Sequence, residues 1–286
     1  MTDPHSPLSI VIPCKDDWAV VDCVASIPDG FPVAIVFNGC ADGFPEAALA
    51  RIRRGGVIHR VLDEANLSLA LETGVWMAPG DRVLLMDADC VFAPGAVEAA
   101  AAAMDSGNSL DEVFKGRVLF RDDGGLRSRL VARSRQHHTA EVLTAYKPPL
   151  AIDRRIAARI GGYLFDRRLV WREDADLDHR IRQAGIAIRP VEGCLIHHEP
   201  LEIASDLRST FRYGMGEALA DALGKRLTDV PRSVLSTLRS QGILPALYML
   251  FRNRVYTAGY LWTKLRLLTN ADFIIDEDPR RVTRRS

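Results

Sequence analysis

The sequence contains no Cys-x-x-Cys pair. Its five cysteines, Cys14, Cys23, Cys40, Cys90 and Cys194, are odd in number and widely spread. That pattern argues against a disulfide framework or a zinc–thiolate site and fits a reducing compartment, the cytoplasm. Net charge is also lacking: 37 Lys plus Arg stand against 37 Asp plus Glu, which speaks against a nucleic-acid or general polyanion binder. Residues 1–9 do not combine a basic segment with an apolar run, so no secretory signal is expected. No stretch reaches the roughly 18 uncharged apolar residues of a membrane-spanning helix. The nearest, 243–251, is stopped by Arg252 and Arg254. No internal repeat is visible. What is present is a chain of 286 residues, 48% hydrophobic, able to bury a full core as one α/β domain with or without an appended subdomain.

Short apolar runs at 8–12, 33–37, 57–62 and 82–86 read as buried strands closed by turns such as Pro13 and Asn38-Gly39. Helix-like segments at 18–27, 45–54 and 67–77 lie between them. Strands alternating with helices of this length predict βαβ units and a parallel sheet. Further on, 94–104 predicts a helix, 105–111 a polar connection, 114–120 a strand and 122–125 a turn. Helical patterns follow at 127–143, 154–159 and 174–184, with short strand-like pieces at 186–189 and 194–196. From 205 onward the chain reads as mainly helical, ending in a polar tail at 276–286.

In parallel sheets ligands sit beyond the carboxyl ends of the strands, and the fourth run delivers the chain to Asp87-Ala88-Asp89. Carboxylates on alternate residues at such a place can both reach one divalent cation, and an oxygen-rich site of this kind suits Mg²⁺ or Mn²⁺ bridging diphosphate oxygens. An isolated acidic triplet is more often a solvated loop; the preceding strand tips the reading toward a metal. Glu173-Asp174, with Asp176 and Asp178 behind, opens a helix. Helix capping alone accounts for such a cluster; the functional reading makes one carboxylate a general base. His197-His198 follows an apolar piece, and a histidine at a strand end can complete a metal site begun by carboxylates.

Taken in order, these segments resemble family 2 glycosyltransferases of the GT-A fold. The opening Ser9-Ile10-Val11-Ile12-Pro13-Cys14-Lys15-Asp16-Asp17 is similar to that family's first strand and nucleotide-binding loop, and Asn38-Gly39-Cys40-Ala41-Asp42-Gly43 to the turn after its second strand. Asn66 through Gly80-Asp81 and then Leu85-Met86-Asp87-Ala88-Asp89 resembles its helix–strand–DxD passage. Ala151-Ile152-Asp153-Arg154-Arg155, Gly161-Gly162-Tyr163 and Glu173-Asp174-Ala175-Asp176-Leu177 resemble its acceptor-side segment. The resemblance spans roughly residues 8–200 and rests on the order of five motifs, each weak alone.

The resemblance implies a GT-A catalytic domain over 1–204, with a mostly parallel central sheet flanked by helices, and a helical C-terminal extension over 205–286. It implies inverting transfer of a sugar from a nucleotide-diphosphate sugar to an acceptor hydroxyl, with no covalent intermediate. The metal ligands would be Asp89, Asp87 and one of His197 and His198, with His197, the first residue past the strand, preferred. Asp174 would be the base and Glu173 its positioning partner. The donor would be held by Pro13, Asp16, Asn38, Asp42, Asn66 and Asp87. The expected partners are that donor, a small-molecule, glycan or lipid-linked acceptor, and Mn²⁺ or Mg²⁺; no nucleic acid is expected.

Two positions depart from the family pattern. Phe37 stands where many members carry an acidic residue that reads uracil. A ring can stack on a base but cannot accept its N–H, which leaves that task to Asn38 or Asp42 and weakens the case for a UDP-sugar. Asn66-Leu67-Ser68 lacks the family's usual glycine. Phe211-Arg212-Tyr213-Gly214-Met215-Gly216 reads equally as a flexible lid or as a glycine-interrupted helix. The apolar and basic mixture at 247–268 fits packing on the catalytic domain or on a second copy, as a homodimer, better than peripheral membrane contact. Of Arg127, Arg129, Arg133 and Arg135, a solvated helix face is expected in preference to an acceptor site. A sugar nucleotidyltransferase is disfavoured, because residues 13–17 lack the glycines of its phosphate loop. A non-catalytic member is disfavoured by the retained carboxylates.

Overall fold

The computed structural model describes residues 7–136, 142–169, 171–228 and 233–269. Its first part alternates strands and helices: β1 (Ser9–Cys14), α1 (Val20–Ala25), β2 (Val33–Asn38), α2 (Phe44–Arg51), β3 (Val57–Leu62), α3 (Leu67–Met77) and β4 (Arg82–Leu85). The elements then become mixed: β5 (Cys90–Phe92), α4 (Ala96–Ser106), β6 (Glu112–Phe120), α5 (Leu126–Arg135), β7 (Leu150–Asp153), a 3-10 turn (Arg154–Arg159), α6 (Glu173–Gln183) and β8 (Ala187–His198). Three helices complete the described chain: α7 (Ile203–Ala222), α8 (Val234–Gln241) and α9 (Ile243–Thr269).

All eight strands form one sheet in the order β3-β2-β1-β4-β7-β6-β8-β5. The β3-β2-β1-β4 half is parallel throughout, with Ile10 opposite Val33 and Leu84. Strand β7 then runs antiparallel to both β4 and β6, β8 parallel to β6, and β5 antiparallel to β8. Strand alternation divides the core in two. Ile10, Ile12, Ile35, Phe37, Leu84 and Met86 point to the face covered by α1, α2 and α4. Val11, Ala34, Val83 and Leu85 point to the face covered by α3 and α6. Burial on both faces explains why β1, β2 and β4 read as continuous apolar runs.

Four expectations change. Strand β3 is an exposed edge, with Val61 49% exposed, because it has a partner on one side only. The pieces at 186–189 and 194–196 are one strand, β8, whose pairing with β6 slips at a bulge between Lys115 and Arg117, opposite Pro190 and Leu195. Helix α5 ends at Arg135, and residues 142–145 are not helical, although 127–143 was expected to be one helix. The glycines of residues 211–216 interrupt nothing: α7 runs through them unbroken, which removes the lid reading. Their role is close approach. A methyl group on Gly214 would overlap the Tyr256 carbonyl of α9, and one on Gly259 would overlap that of Phe211. No described helix is long and apolar enough to cross a membrane.

Candidate active site

Because β1, β2 and β4 are parallel, their carboxyl ends share one edge of the sheet, and β6 and β8 end on the same side. That edge gathers Pro13 in the last residues of β1 and Asp17 after it, Asn38 at the end of β2, Asp87 and Asp89 after β4, and His198 at the end of β8. All of them line one cavity of about 310 Å³. Running against β4, β7 brings the residues just before it to the same edge. So Lys147, far from the Asp-Ala-Asp segment in sequence, donates to Asp87 Oδ1 at 2.9 Å and stands 3.8 Å from Glu173.

His198 Nε2 lies 3.3 Å from Asp89 Oδ2. With the Cys90 thiol, their ligand atoms all fall within 4.8 Å of one another. Burial pushes the Cys90 thiol far up, and a sulfur donor is softer than the oxygen and imidazole ligands that an ion of the Mn²⁺ or Mg²⁺ kind favours. Burial also raises the Asp89 carboxyl, and the neighbouring His198 opposes that rise. One carboxylate and one imidazole facing a solvent cavity fit a Mn²⁺- or Mg²⁺-type ion that takes its remaining ligands from diphosphate and water. The preference for His197 over His198 is reversed by strand geometry. The two are consecutive in β8 and point to opposite faces; His198 faces Asp89, whereas His197 lies near Arg121 and Glu199.

Glu173 and Asp174 open α6 behind a tight turn in which Trp171 (φ 69°) and Arg172 (φ 87°) are left-handed without being glycine. Each such residue costs on the order of 1–2 kcal/mol, so the surroundings must hold the turn. Helix α7 does: Gly216 passes so close to the Trp171 carbonyl that a methyl would overlap it. Arg172 pairs with Glu217 at 2.9 Å, and the Arg212 guanidinium lies 4.6 Å from the Trp171 ring centroid. The turn thereby aims both carboxylates into the cavity. Burial raises the Asp174 carboxyl and lifts Glu173 to about 7, against the pull of Lys147. The next acidic residues are structural. Asp176 holds Arg180 and Lys225, and Asp178 accepts from Ala145 N at 2.6 Å and pairs with Arg182.

A second cavity, of about 160 Å³, meets the first at Asp87, Lys147, Arg172, Asp174 and His198. Arg135 and Tyr213 line both cavities as well, and the far wall of the second is Lys115 and Tyr146, together with Arg252, Asn253 and Tyr256 of α9. Lys115 donates to the carbonyls of Tyr146 and Pro148, and burial lowers its ammonium to about 8. Arg135 and Arg252 share the fully buried Asp206 behind the wall.

Other expected donor residues lie elsewhere. Asp16 accepts from Ala41 N at 2.7 Å, and it is Asp17 that lines the cavity. Asp42 is exposed outside it. Asn66 is buried: it caps α3 by accepting from Leu69 N, and it donates to the Arg167 carbonyl. Ser68, at the missing glycine, donates to the Leu169 carbonyl. Phe37 is wholly buried, edge-on to Phe44 and His59, so it cannot stack on a base. Of the arginine series, Arg127, Arg129 and Arg133 are exposed, whereas Arg135 is buried at the second cavity. Lys115, Lys147, Arg172 and Arg252 carried no sequence signal of a site. An isolated lysine before two prolines, or an arginine within an apolar helix, has no local pattern that marks it.

A mixed sheet with a parallel nucleotide-side half and an acidic cluster at its carboxyl edge is the architecture of a GT-A glycosyltransferase. More particularly, the family model described as "Glycosyl transferase family 2" matches residues 9–160, and the chain belongs to that family. Comparison with curated proteins returned no match. Among solved structures the chain is similar to glucosyl-3-phosphoglycerate synthase from Mycobacterium tuberculosis in complex with Mn²⁺, UDP and glucosyl-3-phosphoglycerate. The TM-score is 0.54 at 19% identity, over 78% of this chain and 81% of that one. It is also similar to S. aureus TarS 1-349, with a TM-score of 0.53 at 11% identity, over 92% and 91%. GalNAc-T7 with UDP, GalNAc and Mn²⁺ gives a TM-score of 0.52 at 13% identity over 69% of this chain; the match spans only 44% of GalNAc-T7.

Proposed function

We propose that this glycosyltransferase moves a sugar from a nucleotide-diphosphate sugar, with a UDP-sugar favoured, to an acceptor hydroxyl with inversion. The observation that carries the reading is the meeting of two cavities at Asp87, Lys147, Asp174 and His198. The donor enters along Pro13, Asp17 and Asn38, and the acceptor enters from the side of α9. Asp89 and His198 would hold a Mn²⁺ or Mg²⁺ ion, which would supply charge neutralisation on the departing diphosphate. The Mn²⁺ and UDP bound to the glucosyl-3-phosphoglycerate synthase support that choice.

The chain's own residues do the rest. Asp174 accepts the proton of the acceptor hydroxyl as its oxygen attacks the anomeric carbon and the bond to the diphosphate breaks. Glu173 and Asp87 fix Lys147 between them, and that ammonium meets the negative charge that develops on the leaving side. Arg172 and the α7 contacts hold Asp174 in register, which is where positioning contributes most. The acceptor cavity presents Lys115, Arg135 and Arg252, a lining that favours a hydroxylated acceptor bearing an anionic group. The five thiols are all free, which supports a cytoplasmic setting.

Thermal shift with UDP, GDP, dTDP and CDP, each with and without Mn²⁺, tests the donor site. A rise in melting temperature with one nucleotide that requires the metal is expected. Absence of any shift, together with no hydrolysis of UDP-sugars, overturns the reading.

A further inference from the structure

The two sides of α9 do different things. One side packs on α7 and carries Arg252, Asn253 and Tyr256 to the acceptor cavity. The other is solvent-exposed and apolar along most of its length, with Arg254 and Thr257 at its middle. Ile243 (67% exposed), Leu247 (56%), Phe251 (54%), Leu261 (60%), Leu265 (61%) and Leu268 (85%) recur along it, with Leu250. At 3.6 residues per turn, Ile243, Leu247, Leu250, Leu261, Leu265 and Leu268 fall within an arc of about 60°, and the helix is about 40 Å long. The stripe continues into an apolar groove where α5 meets the start of α9, formed by Leu126, Leu130, Ile243, Leu244 and Pro245 and flanked by Arg129 and Arg133. An exposed apolar surface of this extent marks an interaction site.

Charge selects the occupant. No Asp or Glu occurs from Ser233 to Thr269 or within α5, whereas Arg127, Arg129, Arg133, Arg239, Arg254 and Arg266 do. A second copy docked on this stripe about a two-fold axis would set the middle of α9 against its own mate. The stripe there holds Arg254, so two guanidinium groups would meet with no carboxylate of α5, α8 or α9 to answer them. An anionic lipid surface matches both properties at once: acyl chains for the leucines and Phe251, and headgroup charge for the arginines. We propose that the outer face of α9, with the adjoining α5 groove, docks the enzyme on an anionic membrane surface. The helix that docks is then also a wall of the acceptor cavity.

Co-sedimentation of the full chain with phosphatidylcholine vesicles, with and without phosphatidylglycerol, tests this without reference to activity. Partitioning onto the anionic vesicles is expected to exceed that onto neutral ones by about tenfold or more. The triple variant Leu247→Gln, Phe251→Gln, Leu261→Gln is expected to lose it while melting at the parent temperature, since all three side chains are exposed. Arg254→Glu is expected to weaken binding to the anionic vesicles alone. Equal binding to both lipids, binding to neither, or retained binding in the triple variant overturns the proposal. So does a dimer in solution that the triple variant returns to monomer, which would make the stripe an interface between copies.

Discussion

The two halves of the site are built differently. On the side proposed for the donor, Pro13, Asp17, Asn38, Asp87 and Asp89 all sit at the ends of neighbouring parallel strands, each within a few residues of an apolar run. On the side proposed for the acceptor, Lys115, Arg135, Lys147, Arg172 and Arg252 come from five separate elements or loops and share a cavity, and Arg135, Lys147 and Arg172 line the other cavity as well. Parallel topology makes the first set a local consequence of strand length. Long-range packing of α5, α7 and α9 makes the second. The difference teaches that donor binding can survive changes that ruin acceptor chemistry, and variants at the junction of the halves test it.

The largest effect is expected at Asp174, which lines both cavities. Asp174→Asn should lower kcat by about 10²–10⁴-fold, the range for loss of a general base. Nucleotide and Mn²⁺ should still raise the melting temperature as in the parent. A variant that instead loses the nucleotide shift with kcat little changed would show that Asp174 serves the donor half and would dissolve the division drawn here. Because burial raises the Asp174 carboxyl, kcat/KM should fall on the acid side below a pKa higher than that of an ordinary aspartate.

That division also explains how much was legible in the sequence. Helix α3 was expected at 67–77 and is found there, because a capping asparagine and a rich apolar pattern settle it locally. Asp87 and Asp89 were legible because β4 is short, apolar and ends one residue before them. Lys147 was not, since it reaches Asp87 only through the antiparallel return of β7, a strand of four residues. Phe37 was misread for the same physical reason. Position at a strand end does not say which face a side chain takes, and Phe37 takes the core face.

Behind both cavities, Glu72 ties α3 to the segment that leads into α6. Its buried carboxyl accepts from Leu164 N and Phe165 N of that segment and from Trp76 Nε1. Burial raises its pKa from 4.5 to about 7. The folded state therefore holds a proton that the unfolded chain has already released, so stability present below about pH 4.5 is lost as pH rises toward 7. At about 1.4 kcal/mol per pKa unit the loss is about 3 kcal/mol at most. Glu173, also lifted to about 7, adds to the same window. Denaturant melts from pH 5 to 8 should show the fall, and Glu72→Gln should flatten it. An unchanged slope would mean that the joint is not a buried titrating group.

Gly216→Ala probes the other joint. A methyl against the Trp171 carbonyl is overpacking, which costs about 1–3 kcal/mol. Some of that cost is expected to appear as a shifted Trp171–Arg172 turn. The forecast is a lower kcat with an unchanged nucleotide shift in a protein that still folds, measured by steady-state kinetics beside thermal melts. If stability falls and kcat per folded molecule does not, α7 is a plain packing element, and the acceptor half is less dependent on it than the geometry implies.

The smallest contrast lies within a single dipeptide. His198→Ala removes the imidazole 3.3 Å from Asp89. It should raise the Mn²⁺ concentration needed for a nucleotide-dependent shift by about 10–100-fold, the usual scale for groups that support a metal site. His197→Ala should change it by less than about twofold, because a neighbour in a strand faces the other way. Equal effects of the two substitutions would take His198 out of the metal site and leave the ion to the acidic pair, Asp87 and Asp89. The comparison is informative because composition, distance along the chain and solvent exposure are nearly matched, and what separates the two residues is the alternation of one strand.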